Sequence, residues 1–302
     1  MYAEASNDKL ILSSGKGADI YYPMNKLPLF EFSNYVVKNG KKRKGYKSLK
    51  KKHKSVSKYL TVIKYKEPNT GNILIICNRK KGKSWAASPL YLIFYPSFPH
   101  PVLYSHVKAI ERFFLDECGI KLRVSAVHIA VDIIDEGNRD LFRQVVRSIK
   151  PGTKRKPCKL CKRYKGTRYF GHFRSSNQLI VYDKSRQLRR KKGIVVPVGR
   201  VRVECRLKPP QLFDLPSTVN ELANFDWSML MPRYFSFHIP TSKFMLKMNM
   251  AGESWRRPIW RLRDLAWELF GITPSNFYRD CLMEHTQFTK HVAEALANFR
   301  WA

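Results

Sequence analysis

A tyrosine followed at once by an acid and a lysine ends an apolar segment, "LIVYDK" at residues 179–184. Tyr182 and Lys184 would share one face if this segment is a strand, because side chains alternate along a strand. A phenol has a pKa near 10 and therefore needs positive charge nearby to act as a nucleophile. Lys184 or a metal ion could supply that charge. The plainer alternative is that Tyr182 only packs at the end of the strand.

Two other segments carry residues that can bind a divalent metal. In "SAVHIAVDIID", strand alternation puts His128, Ala130 and Asp132 on one face. An imidazole and a carboxylate with a small alanine between them can bind one divalent cation. In "VRVECRL", Glu204 alternates with apolar residues and lies between two arginines. These arginines and Glu204 could equally form a ladder that neutralises itself.

A β-sheet with accompanying helices must position these segments. "KYLTVIKYK" and "NILIICNRK", joined by "EPNTGN", predict a hairpin, and "LYLIFYP" predicts another strand. The spacing of Val107, Ile110, Phe113 and Phe114 predicts a helix that ends at Gly119. The segment "VSAVHIAVDII" then predicts a strand, "NRDLFRQVVRSIK" a helix, and "TRYFGHF", "NQLIVYDK" and "GRVRVECRL" three further strands.

These elements predict an α+β fold. We expect a largely antiparallel sheet with helices packed on one face, followed by a mostly helical C-terminal region. We divide the chain into an N-terminal segment with a basic arm at 1–59, an α+β nicking and DNA-binding core at 60–207, and the helical region at 208–302.

Net charge is the strongest compositional signal. The 302 residues contain 57 Lys and Arg against 23 Asp and Glu, a formal net charge of +34. Such an excess favours a polyanionic partner, and nucleic acid is preferred because counterion release drives its binding. No segment reaches the roughly 20 apolar residues that span a bilayer, and the N-terminus lacks the pattern of a secretion signal. We therefore expect no membrane partner and a cytoplasmic location.

Two basic segments are predicted to contact DNA phosphates. The segment 38–54 has ten Lys and Arg and no acid, and it reads either as a phosphate-contacting arm or as a solvated loop. The run "SRQLRRKK" follows Tyr182 directly. The predicted nucleic-acid-binding residues are Lys41, Lys42, Arg43, Lys44, Lys50, Lys51, Lys52, Arg186, Arg189, Arg190, Lys191 and Lys192.

Cys158 and Cys161 have the spacing of zinc ligands. One such pair is half a zinc site, and His172 could add a third ligand. We favour a basic surface loop over a zinc site here. The other cysteines are separate from one another, which is typical of free thiols in a reducing compartment.

The order of the motifs resembles the replication initiation factor family, the rolling-circle initiators of small plasmids and filamentous phages together with related relaxases. The resemblance runs from "VSAVHIAVD" to "VRVECRL" and includes "TRYFGHFRSSNQLIVYDKSRQL". It implies a metal-dependent, site-specific DNA nickase whose tyrosine forms a 5′-phosphotyrosine link and leaves a free 3′ hydroxyl.

The resemblance also assigns roles to individual residues. Tyr182 corresponds to the family's tyrosine, and Glu204 and Asp132 correspond to acids of the neighbouring strands. His128 stands where the family usually has an aspartate, and "SRQL" lacks the second tyrosine that some members carry. With Lys184 stabilising charge, these assignments predict Mg²⁺ or Mn²⁺ held by His128, Asp132 and Glu204.

Single-stranded or cruciform origin DNA is then the expected partner, with a homodimer and a host helicase as further candidates. Two other readings of the sequence stay open. One is a non-catalytic DNA- or RNA-binding protein of the same fold, in which Tyr182 is only packed. The other is a basic RNA-binding or ribosome-associated factor.

Overall fold

The structure of the protein is a computed structural model. It describes residues 1–14, 27–38, 41–42, 59–79, 90–97, 100–150, 166–171, 177–208 and 215–301. The strands are β1 (Tyr2–Ser14), β2 (Glu31–Lys38), β3 (Lys41–Lys42), β4 (Tyr59–Lys66), β5 (Ile73–Arg79), β6 (Leu90–Tyr95), β7 (Leu122–Ile134), β8 (Thr167–Phe170), β9 (Asn177–Asp183), β10 (Arg200–Leu207), β11 (His238–Pro240) and β12 (Leu282–Glu284).

Helices lie between these strands and fill most of the C-terminal third. They are α1 (Tyr104–Cys118), α2 (Leu141–Ser148), α3 (Lys184–Lys192), α4 (Val219–Asn224), a 3₁₀ helix (Trp227–Leu230), α5 (Met231–Tyr234), α6 (Ser242–Met250), α7 (Ile259–Phe270), α8 (Pro274–Asp280) and α9 (Thr286–Asn298). The predicted α+β class, with a large antiparallel sheet and a mostly helical C-terminal region, is confirmed.

The chain folds into two compact units. The motif unit consists of Met1–Ser6, Ala130–Arg206 and Asp226–Phe299, and the hairpin unit of Asn7–Ile129, Leu207–Phe225 and Arg300–Ala302. The chain passes from one unit to the other inside the long strands β1 and β7. Each unit therefore combines segments that are far apart in sequence.

In the hairpin unit the strand order is β3-β2-β4-β5-β6-β1-β7. The predicted hairpin is present: β4 and β5 pair antiparallel, with Val62 opposite Cys77 and Lys66 opposite Ile73. Its turn begins at Glu67, whose carboxylate accepts hydrogen bonds from the backbone N–H of Asn69 at 3.1 Å and of Thr70 at 2.5 Å. The carboxylate thus holds the turn closed.

Helix α1 of the hairpin unit forms as its spacing predicts. Val107, Ile110 and Phe114 are buried along one face, while Phe113 is only half-buried. The helix ends at Gly119, which has a φ of 63°. Glycine adopts this left-handed conformation without steric cost, so its position fixes the C-terminus.

In the motif unit the neighbouring strands are ordered β7-β10-β9-β8. Strands β8 and β9 pair antiparallel, with Thr167 opposite Tyr182. A separate apolar cluster joins α6, α7 and α8 around Phe244, Leu262 and Phe277. Among the described residues, no helix has the length and apolar character needed to cross a membrane.

Candidate functional site

A buried carboxylate and two arginines form the centre of the candidate site. Asp132 on β7 is 1% exposed. Its carboxylate accepts from Nε of Arg200 at 2.8 Å and from Nε and Nη2 of Arg202 at 2.5 and 3.0 Å. Both arginines are on β10, the strand next to β7 in the motif unit. The alternation of β10 explains the contact, because residues 200 and 202 lie on the same face.

The arginines keep Asp132 ionised. Burial by itself raises the pKa of this carboxyl group, but the charge and hydrogen bonds of Arg202, followed by the charges of Arg200 and Lys184, outweigh it and leave the pKa below its ordinary value. The site therefore contains a fixed negative charge surrounded by a larger positive charge.

Glu204 is the second acid that the motifs single out. It is 1% exposed and accepts a 2.5 Å hydrogen bond from Nε of Arg206, two residues along β10. The charged face of β10 thus behaves partly as the self-neutralising ladder considered from the sequence. It departs from such a ladder because Arg202 donates its hydrogen bonds to Asp132 on the neighbouring strand.

Strand β9 neighbours β10 on the side away from β7. Tyr182 lies on β9, and Lys184 begins α3 directly after this strand. Tyr182 is 7% exposed, and Lys184 is also 7% exposed with its Nζ 5.8 Å from the centroid of the Tyr182 ring. This distance permits a cation–π interaction. The Lys184 Nζ thus lies near the Tyr182 ring, and its charge also lowers the pKa of Asp132.

The sequence did not predict that Lys184 would begin a helix. Asp183 is the N-cap of α3, and its Oδ1 accepts from the backbone N–H of Arg186 at 2.8 Å. Gly193 ends the helix with a φ of 67°. An Asp before the run and a Gly after it are start and stop signals, so this helix was detectable in "YDKSRQLRRKKG".

The residues proposed as metal ligands can be tested against the metal that the resemblance implies. Both carboxylate oxygens of Asp132 already accept from guanidinium groups, and one oxygen of Glu204 does so too. His128 is buried in the segment of β7 that belongs to the hairpin unit. No cluster of three His, Cys, Asp or Glu suited to a metal occurs within the described ranges. As placed, Asp132 does not fit a divalent cation unless the arginines move.

The predicted phosphate-binding residues are only partly described. Arg186, Arg189, Arg190 and Lys191 are exposed on α3, as phosphate contacts require. Lys192 belongs to α3, and Lys41 and Lys42 form β3. Five predicted phosphate contacts of the basic arm lie outside the described ranges: Arg43, Lys44, Lys50, Lys51 and Lys52. Cys158 and Cys161, the possible zinc ligands, also lie outside them.

Sequence reasoning missed the role of Arg200 and Arg202. Both are in a strand whose alternation of charged and apolar residues was recognised, but a partner for them on β7 was not. The available signal was a buried aspartate in an otherwise apolar strand, since such a carboxylate requires a cationic partner.

A search of known proteins finds similarity at the level of structure. No protein-family model matches the chain. No curated protein matches it significantly. A solved structure, the rolling circle replication initiator protein from Geobacillus stearothermophilus, is similar over 99% of this chain and 98% of that chain, with 14% sequence identity and a TM-score of 0.46. At this level of similarity, function must be argued from the residues themselves.

Proposed function

We propose that this protein is a DNA-binding rolling-circle replication initiator that nicks and rejoins single-stranded origin DNA through Tyr182. The observation that carries the proposal is the position of Lys184, whose Nζ lies 5.8 Å from the Tyr182 ring centroid and whose charge also acts on Asp132. A phenol and an arginine–carboxylate network thus lie on neighbouring strands, and Lys184 at the start of α3 acts on both. The net charge of +34 supports a nucleic-acid substrate.

In the proposed reaction the Tyr182 hydroxyl oxygen attacks the phosphorus of a phosphodiester. A bond forms between the phenolic oxygen and phosphorus, and the bond from phosphorus to the 3′ oxygen breaks. The phenol proton passes to water, and the leaving 3′ oxygen takes up a proton. The products are a 5′-phosphotyrosine link and a free 3′ hydroxyl, which can reverse the reaction and rejoin the strand.

The cations of the site would stabilise the charge that develops on the phosphate oxygens. Fixed positive groups do this well because they need little reorganisation during the reaction. Arg200 suits a direct phosphate contact because its side chain is 20% exposed. Arg202 is 8% exposed, and we assign it to positioning. Asp132, which bonds both arginines, holds the two guanidinium groups in a fixed geometry.

Dependence on Mg²⁺ or Mn²⁺ stays a prediction from the family resemblance. The carboxylates of Asp132 and Glu204 accept hydrogen bonds from arginines. The proposed attack by Tyr182 therefore relies on the positively charged side chains of the protein. Association into a homodimer and recruitment of a host helicase likewise remain predictions.

The test is covalent capture of DNA. The protein is incubated with end-labelled single-stranded origin DNA, with Mg²⁺, with Mn²⁺ or with EDTA, and separated on a denaturing gel. We expect a slow-migrating labelled band that Tyr182→Phe abolishes, while binding of the same DNA is retained. Tyr169→Phe, in the neighbouring strand β8, is the matched control and should keep the band. Undiminished adduct with Tyr182→Phe would reject the assignment.

A non-catalytic DNA- or RNA-binding protein is the second candidate. The specific observation in its favour is the burial of Tyr182, which is 7% exposed, together with the full engagement of the Asp132 carboxylate by arginines. Tight DNA or RNA binding with no covalent band under any of the metal conditions would select this candidate.

A further inference from the structure

A cleft of about 260 Å³ opens within the motif unit beside the residues of the proposed nicking site. Three parts of the chain form it: the turn after β7 with the start of α2, the first turns of α3, and the start of β10. Its lining consists of Asn138, Arg139, Leu141, Phe142, Asp183, Ser185, Arg186, Arg189, Val198, Gly199, Arg200 and Val201.

Backbone hydrogen bonds hold two of these parts together. The N–H of Asp135 donates to the carbonyl oxygen of Gly199 at 2.8 Å, and the N–H of Gly137 donates to that of Val198 at 3.0 Å. Gly199 has a φ of 94°, and a Cβ there would lie 1.9 Å from the carbonyl oxygen of Asp135. Only glycine permits this close approach, so the contact between the turn after β7 and the residues before β10 depends on Gly199.

Ser185 connects α3 to the same wall. Its hydroxyl donates to the carbonyl oxygen of Pro197 at 2.8 Å and accepts from the backbone N–H of Arg200 at 3.3 Å. Ser185 is itself buried. The start of α3 is thus fixed relative to β10, and the cleft is preorganised, which lowers the entropic cost of binding a ligand.

The cleft carries an excess of positive charge. Arg139, Arg186 and Arg189 are exposed and line it, and across the described part of the chain none of the three forms an ion pair with a carboxylate. Asp183 is the one acid of the lining, and its Oδ1 is used to cap α3. Three unneutralised guanidinium groups around one opening favour an anionic ligand that can accept several hydrogen bonds.

The lining also contains an apolar surface. Phe142 is half-buried and lies beside Leu141, Val198 and Val201. An aromatic ring next to cations is the arrangement that binds unpaired nucleobases, with the base stacked on the ring and the phosphate held by the cations. A bare phosphate would leave this apolar surface unused. The volume lies just below the roughly 300 Å³ at which pockets for larger ligands begin, which suits a single nucleotide unit.

We infer that this cleft binds one unstacked nucleotide of the DNA strand, immediately next to the phosphate that Tyr182 would attack. Arg200 connects the two places, because it lines the cleft and its Nε bonds Asp132. Asp183, also in the lining, directly follows Tyr182 in the chain. The inference rests on the proposed function for the identity of the strand. It adds that single-stranded DNA is selected because only an unpaired base can enter the cleft.

The experiment measures binding without cleavage. Fluorescence anisotropy of a labelled oligo(dT) of about 15 nucleotides, within the range that such grooves cover, is recorded in EDTA at several salt concentrations. Arg189→Ala and Arg147→Ala are compared, because both side chains are exposed in the motif unit and only Arg189 lines the cleft. We expect Arg189→Ala to raise Kd about tenfold and to reduce the salt slope by about 0.7, with a clearly smaller change in both for Arg147→Ala.

A second variant tests the base. Phe142→Leu keeps an apolar side chain but removes the ring, so we expect weaker binding of oligo(dT) and unchanged binding of an abasic oligonucleotide of equal length. Equal losses for Arg189→Ala and Arg147→Ala, or equal losses for Phe142→Leu with both oligonucleotides, would overturn the cleft assignment.

The two proposals fail in distinguishable ways. If the wild-type protein forms the covalent adduct but the cleft variants bind normally, the cleft is rejected and nicking stands. If the cleft variants lose binding as expected but no adduct forms, the cleft stands and nicking through Tyr182 is rejected.

Discussion

Replacing Asp132 by asparagine removes the charge that holds Arg200 and Arg202 in place. Asp132 is 1% exposed and receives three hydrogen bonds from the two guanidinium groups. The substitution keeps the size of the side chain but removes the carboxylate charge that the buried guanidinium group of Arg202 pairs with at Asp132. Breaking a buried ion pair from one side costs about 3–5 kcal/mol. Because whole domains are stable by only about 5–15 kcal/mol, we expect a large fall in the free energy of unfolding.

The matched control is Glu4→Gln, which acts on the same network from its exposed end. Glu4 accepts from Nη2 of Arg200 at 2.7 Å, but the Glu4 side chain is half exposed. Exposed ion pairs contribute about 0–1 kcal/mol, so this variant should lose no more than about 1 kcal/mol. Urea-induced unfolding of both variants at neutral pH, followed by circular dichroism, measures the difference.

The lowered pKa of Asp132 also determines how the free energy of unfolding changes with pH. The pKa of Asp132 is lowered in the folded protein, so its stabilising effect is fully present above the ordinary aspartate pKa of about 3.9. It is lost as the pH falls through the lower, folded-state value. The difference between wild type and Asp132→Asn should therefore be constant near neutral pH and shrink in acid. A loss below about 1 kcal/mol at neutral pH, or one no larger than that of Glu4→Gln, would refute the reasoning.

Three further predictions concern backbone fit and titration. Gly199→Ala should lower the free energy of unfolding by about 3 kcal/mol, because the new Cβ would lie 1.9 Å from the carbonyl oxygen of Asp135. Gly193→Ala, where the space around the new Cβ is open, should lower it by only about 1–2 kcal/mol. Equal urea midpoints for the two variants would contradict this prediction. The pKa of Glu67 is lowered to about 2, so its stabilising effect is present above its usual pKa and lost as pH falls through about 2; an NMR titration midpoint near 4 would disprove it. Burial raises the pKa of Cys77 to about 12, so mass spectrometry should find Cys77 unlabelled by iodoacetamide at pH 8 in the folded protein and labelled in urea.

The elements of the fold were largely predictable because their signals are local. The hairpin of β4 and β5, helix α1 with its terminal glycine, and the run of strands from β7 to β10 all follow from periodicity and turn residues. The same local rules apply to α3, where Asp183 and Gly193 mark the two ends. That helix was missed because the basic run was interpreted only by its charge.

The site was predictable only in part, because its contacts are not local. The motifs single out Tyr182, Lys184 and Asp132, and in the structure the charge of Lys184 contributes to the lowered pKa of Asp132. The sequence did not predict that Arg200 and Arg202 would engage Asp132, since that depends on which strand neighbours β7. The sequence also did not predict how the chain is divided between the two units. The chain passes from one unit to the other within strands β1 and β7, where its composition does not change.

The most direct measurement of the central claim is the identity of the amino acid that becomes linked to DNA. After incubation with single-stranded origin DNA, the protein is digested with nuclease and trypsin and analysed by mass spectrometry. We predict that the tryptic peptide 175–184, SSNQLIVYDK, carries a nucleotide on Tyr182 through a 5′ phosphate. A nucleotide attached to any other residue, or no adduct in the presence of Mg²⁺ or Mn²⁺, would contradict the claim.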